Sequence, residues 1–157
     1  MWAHDLRGGH PTQIASATVA IPWNAGAQVA EAVGCRAGLD LLGQLHPPYR
    51  AARVVGDNLG VIRYCAGTAR LRRLHMQAHL EPSLATALTQ GWHLSWQAVR
   101  RRLNQEADAL ATNGVQWAAS LREQGQRTIQ LRFTWYDRDS QQPHGTAAPN
   151  AVSYTAG

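Results

Sequence analysis

The chain has 157 residues, 45% hydrophobic and 16% charged, a balance that supports one globular core with an extension and excludes wholesale disorder. Arginines, histidines and glutamines interrupt every apolar run before the roughly 20 residues of a membrane helix, and Met1-Trp2-Ala3-His4-Asp5-Leu6-Arg7 lacks the apolar stretch of a secretory signal. The formal net charge is +5, from 15 basic and 10 acidic residues, and every basic residue is Arg, so the natural partners are anions.

The first 25 residues read as a hairpin feeding a helix. Gly8-Gly9-His10-Pro11 is a turn signal, and Ile14 to Ile21 is a strand ending at Pro22. Asn24 is placed to cap a helix from Ala27 to Leu45, with Val29, Val33, Ala37, Leu41 and Leu45 as its apolar stripe and Pro47-Pro48 as its stop. Ala52 to Gly56 is a short strand, and Asp57-Asn58 opens a second helix through Leu59, Val61, Ile62 and Cys65. Leu71 to Leu80 and Ser83 to Gln90 are helical segments expected to break at Pro82. Trp92 to Val99 is another strand, its Trp92 and Trp96 better read as core than as base-stacking residues, and Asn104 is placed to cap a last helix to about Leu121. The alternation of strands and helices predicts an α/β domain with a partly parallel sheet.

After Gln124 the pattern changes. Ile129, Leu131, Phe133 and Trp135 alternate with Gln130, Arg132, Thr134 and Tyr136, a strand pattern of period two, and beyond Asp139 the composition is that of a loose terminus. Residues 1–124 therefore read as the domain, and residues 125–157 as an extension with one strand over 129–136 and a disordered tail.

Charge is concentrated in the middle. Between Arg53 and Arg102 eight arginines (53, 63, 70, 72, 73, 100, 101 and 102) face only Asp57 and Glu81, a local net of +6. The planar guanidinium fork suits phosphate, and a basic band suggests a polyanion, most simply nucleic acid, although a G- and C-rich genome also favours Arg over Lys. Cys35 and Cys65 stand apart without a zinc spacing, which predicts two reduced, half-buried thiols in an intracellular protein. His75 and His79, at i,i+4, lack the flanking acid of a metalloprotease helix.

Three acids fall where such a sheet gathers functional groups. Glu31 lies in the first turns of the first long helix, Asp57 directly follows a strand at its C-terminal end, and Asp108 lies in the first turns of the last helix. Converging carboxylates repel, and a hard divalent cation such as Mg²⁺ or Mn²⁺ resolves the repulsion. Each acid also has a simpler reading: Asp57 as the cap of the helix after it, Glu31 and Asp108 as partners of a helix dipole.

Ala30-Glu31-Ala32 with Gly38-Leu39, then Val54-Val55-Gly56-Asp57-Asn58, then Val99 and Arg101-x-x-Asn104-x-x-Ala107-Asp108-x-Leu110-Ala111 resemble the ribonuclease H domain, in the flavour of plant proteins and retroelement polyproteins. The likeness spans Ile14 to Gly114. It implies a mixed α/β sheet with helices on both faces and endonucleolytic cleavage of the RNA strand of an RNA–DNA hybrid. It further implies two Mg²⁺ (or Mn²⁺) ions on Glu31, Asp57 and Asp108, with Asn58, Arg63, Arg100, Arg101 and Arg102 contacting nucleic acid. No membrane partner is implied; a place within a longer reverse-transcriptase polyprotein is. A catalytically inactive nucleic-acid-binding relic and a protein-interaction module on the same fold are the alternatives; a dinucleotide enzyme is disfavoured, because no GxGxxG follows a strand.

The sequence also departs from the family. The family's first strand carries a further catalytic Asp, whereas only 30 residues precede Glu31, so that strand is expected to be missing. The segment from Ile129 to Tyr136 could take its central place and present Asp137 to the metals; an added edge strand is the plainer alternative.

Overall fold

The computed structural model describes residues 2–6, 12–45 and 50–147. Among them the elements run β1 (Trp2–Asp5), β2 (Thr12–Ala20), α1 (Ala27–Gln44), β3 (Ala51–Gly56), α2 (Leu59–Cys65), α3 (Leu74–Thr89), β4 (His93–Ala98), a 3₁₀ turn (Arg101–Leu103), α4 (Gln105–Glu123), β5 (Gln130–Tyr136) and β6 (Pro143–Ala147). The turn signal at residues 8–11 and the Pro47-Pro48 stop lie outside the described residues. The chain divides into two compact units, one from Gly26–Gln105 and one from Met1–Ala25 with Glu106–Gly157.

In the Gly26–Gln105 unit, β3 and β4 form a parallel pair in which Arg53 faces Ser95 and Gly56 faces Ala98. Parallel strands need a crossover, supplied here by α2 and α3. Ala52, Leu94 and Trp96 turn onto a core of Ala32, Cys35 and Leu39 from α1, Val61 and Cys65 from α2, Met76, Leu80 and Ala87 from α3, and Trp92. Both tryptophans thus serve the core. Cys35 and Cys65 are free, as expected, but buried rather than half-buried. They share a hydrogen bond that, with burial, pushes the Cys35 thiol well above its usual range.

Three local expectations change. Helix α1 starts with Gly26 as N-cap and no capping side chain; the Val29 and Ala30 amides donate to the Gly26 carbonyl, which leaves Asn24 outside the helix. The apolar stripe widens as well, with Ala32, Val33, Cys35, Ala37, Gly38, Leu39 and Leu41 all buried. Helix α3 runs unbroken through Pro82. Pro82 and Ala78, the residue whose carbonyl loses its amide partner, are both exposed, so water can satisfy that carbonyl and the break is avoided.

The other unit is a four-stranded antiparallel sheet in the order β1-β2-β5-β6. Ala17 faces Phe133 and Val19 faces Leu131, and Ala15, Ala17, Ile129, Leu131 and Phe133 are buried. Helix α4 buries Leu110, Gly114 and Ala118, one stripe at four-residue steps. A Cβ on Gly114 would collide with the Val19 carbonyl, so the missing side chain is what lets α4 approach β2. Arg132 of β5 stacks over Trp117 of α4, 4.3 Å from the ring centre.

The strand expected over 129–136 is β5, and its partners are β2 and β6. It does not join β3, whose partner among the described residues is β4. The stretch expected to be loose after Asp139 contributes β6, while residues 148–157 lie outside the described residues. The β5–β6 connection is closed by Asp137, whose Oδ1 accepts from the Asp139 amide (3.0 Å), the Ser140 amide (2.8 Å) and the Ser140 hydroxyl (3.0 Å). These bonds hold its carboxyl below the usual range. Arg138 next to it pairs with the buried Asp5 of β1. Asp137 therefore closes this turn, and its strand does not take the central place beside β3 that the sequence allowed it.

Candidate functional site

The C-terminal ends of parallel strands gather the loops that carry function in open α/β sheets. Asp57 stands at that end of β3, directly after Gly56, and the Val99 amide donates to the Gly56 carbonyl at 2.9 Å, so β4 ends alongside. The chain then passes through Arg100 and the 3₁₀ turn Arg101–Leu103, which brings Asn104 back to donate from Nδ2 to Asp57 Oδ1 at 3.2 Å. Arg100, Arg101 and Arg102 are exposed, and they leave the strand at the same end as Asp57. Arg63, in the last turn of α2, is exposed too, as are Arg53, Arg70, Arg72 and Arg73.

Asp57 is half-buried and does not cap α2. That task falls to Asn58, whose side-chain Oδ1 accepts from the Val61 amide at 3.0 Å. The same side chain donates from Nδ2 to Oε2 of Glu31, half-buried on α1. Glu31 and Asp57 are thereby each held by an asparagine amide, Glu31 by Asn58 and Asp57 by Asn104. Asp108 stands half-buried in the first turn of α4, in the other compact unit, its backbone carbonyl accepting from the Thr112 hydroxyl at 3.1 Å. Among the described residues, no group of three or more His, Cys, Asp or Glu gathers as a metal site.

The asparagines are the residues whose roles the sequence concealed. Asn58 reads as a nucleic-acid contact and Asn104 as the cap of the last helix, which does begin at the next residue, Gln105; to these readings the structure adds that each delivers an amide N–H to a carboxylate. Asn58 carried a usable signal: an Asn opening an apolar helix directly after an acid is a natural cap, which frees that acid. Asn104 carried none, because its bond reaches 47 residues back along the chain. As donors, Glu31 and Asp57 offer hard carboxylate oxygens that match Mg²⁺ or Mn²⁺ in chemistry.

The fold is a mixed α/β arrangement of ribonuclease H-like type. The chain is similar to the N-terminal RNase H domain of Rv2228c from Mycobacterium tuberculosis, solved as a fusion with maltose-binding protein, with a TM-score of 0.56, 20% sequence identity, and coverage of 69% of this chain and 96% of that one. No protein-family profile matches the sequence, and no curated protein matches it. None of the described helices is long and apolar enough to cross a membrane.

Proposed function

We propose that the chain is a ribonuclease H-type nuclease of retroelement descent, of the plant and reverse-transcriptase-associated kind, that cuts the RNA strand of RNA–DNA hybrids inside the cell, where its thiols stay reduced. The observation that carries this reading is Asp57: a half-buried carboxylate at the C-terminal end of a parallel strand, relieved of helix capping by Asn58 and tied through it to Glu31's neighbourhood. Glu31, Asp57 and Asp108 are the residues that would hold Mg²⁺ or Mn²⁺, two ions in the active state. Held there, such cations would supply Lewis-acid chemistry, lowering the pKa of a water and neutralising charge on the scissile phosphate. The chain's own part is to bind and orient. Exposed Arg63, Arg100, Arg101 and Arg102 offer forks to backbone phosphates without reading sequence, and Asn104 fixes the Asp57 carboxylate. In this reading the domain works as part of a longer reverse-transcriptase polyprotein.

The test is cleavage of an end-labelled RNA strand in a hybrid, with Mg²⁺, by wild type and by Asp57→Asn. Cutting that disappears in the variant supports the reading; no cutting by folded wild-type protein overturns it.

A second reading, a nucleic-acid-binding relic of the same fold, is favoured by one observation: Glu31 and Asp57 already accept hydrogen bonds from asparagine amides, so neither carboxylate needs a cation to satisfy it. That reading expects salt-sensitive hybrid binding that Asp57→Asn leaves alone and that joint replacement of Arg100, Arg101 and Arg102 by Ala weakens.

A further inference from the structure

The Asn58 side chain makes two hydrogen bonds of opposite sense. Its Oδ1 accepts from the Val61 amide and so caps α2, while its Nδ2 donates to Glu31 on α1. The first task does not specify Asn, because Asp and Ser cap a helix about equally well. The second does. An Asp has no donor when ionised, and the one short hydroxyl of Ser cannot reach Glu31 while it caps. Ionised Asp would also set a third carboxylate beside Asp57 and Glu31 and repel both. Gly60 leaves the amide its room, since a Cβ there would stand 3.2 Å from Asn58 Oδ1.

We infer that Asn58 is a positioning residue, which locks the Glu31 carboxylate of α1 to the start of α2 and so to the residue covalently joined to Asp57. The spacing of the two acids is then set by the N-terminus of α2 and by one planar amide, in place of two independent side-chain rotamers. This inference rests on the nuclease reading for its consequence, and it gives Asn58 a role exercised through Glu31 in place of direct contact with nucleic acid.

Two measurements on the full chain test it. In ¹⁵N-labelled protein, one Asn58 side-chain amide proton should lie downfield and move upfield in Glu31→Ala, while the Val61 backbone amide, which reports the cap, stays in place. Identical Asn58 side-chain signals in the two proteins would overturn the inference. In the second measurement, Asn58→Ser should unfold close to wild type, because it retains a cap, and Asn58→Asp somewhat lower, because it caps equally but sets a carboxylate beside Glu31 and Asp57. Their kcat on a labelled hybrid with Mg²⁺ should fall about tenfold to a hundredfold, with KM for the hybrid unchanged. An unchanged kcat, or a rise in KM alone, would make Asn58 a structural cap or a substrate contact and overturn the positioning role. If wild type cuts nothing, the nuclease reading fails by itself and the amide spectrum still decides whether Asn58 holds Glu31.

Discussion

The two compact units are built by opposite strategies. The Gly26–Gln105 unit is one uninterrupted stretch in which α1, α2, α3, β3 and β4 share one core and the β3–β4 pairing, as of Ala51 with His93, closes over the helices between them. The other unit joins the first 25 residues to the last 52, and its central pairing sets Ala20 against Gln130 and Ala15 against Trp135. The first kind of unit closes over the elements within one stretch; the second depends on a pairing that closes over the whole intervening chain, a longer loop. Glu31, Asp57 and the arginine cluster belong to the contiguous unit, whereas Asp108 and the β5–β6 extension belong to the one that joins the two ends of the chain.

Substitutions in each unit sharpen this contrast. The largest effects are expected from paired core truncations. Phe133→Ala, in the central strand of the sheet unit, should cost about 3–5 kcal/mol, and Leu80→Ala, fully buried in α3, about 2–5 kcal/mol. Urea unfolding gives the magnitudes, and hydrogen exchange at β2 amides in Phe133→Ala checks that the loss falls on the long-range pairing. A Phe133→Ala protein as stable as wild type would mean that β5 is not part of the folded sheet.

Gly114→Ala comes next. Its Cβ would press on the Val19 carbonyl, a backbone atom that cannot rotate away, so a loss of about 1–3 kcal/mol is expected although Ala is the better helix former. Arg138→Ala should cost about 1–2 kcal/mol by removing a partner of buried Asp5; the figure is kept low because Arg138 is half exposed. Thermal unfolding measures both. The smallest effect is that of Asp137→Ala. The wild-type carboxyl titrates below the ordinary 3.8 because the Ser140 and Asp139 groups favour its ionised form. Its contribution is therefore present above pH 3.8 and lost as pH falls through the depressed value. Wild type and Asp137→Ala should differ slightly at neutral pH and converge in acid.

The same division explains what the sequence revealed. β3 was legible from its β-branched Val54-Val55, β4 from Trp92 to Val99, and α2 from its capping signal, because each is decided within a few residues. The acid positions were legible too, since Asp57 follows a strand and Glu31 and Asp108 sit early in helices. Pro82 misled because a helix break depends on whether the orphaned carbonyl meets water, a matter of burial that a Pro symbol does not carry. β6 was illegible because Pro143-His144-Gly145-Thr146-Ala147 has little strand propensity; the open edge of β5 and the Asp137 turn impose the pairing. The two asparagine–carboxylate bonds were hidden for a related reason: they join residues 27 and 47 positions apart, a distance over which no periodicity speaks.

The proposed nuclease activity requires Glu31, Asp57 and Asp108 to act together on a hybrid. It is tested most directly by comparing Glu31→Gln, Asp57→Asn and Asp108→Asn in one assay that measures hybrid affinity and RNA-strand cleavage with Mg²⁺. All three variants should bind the hybrid as wild type does, and none should cut it. A variant that cuts at the wild-type rate would remove its residue from the site, and with it the joint action of the three.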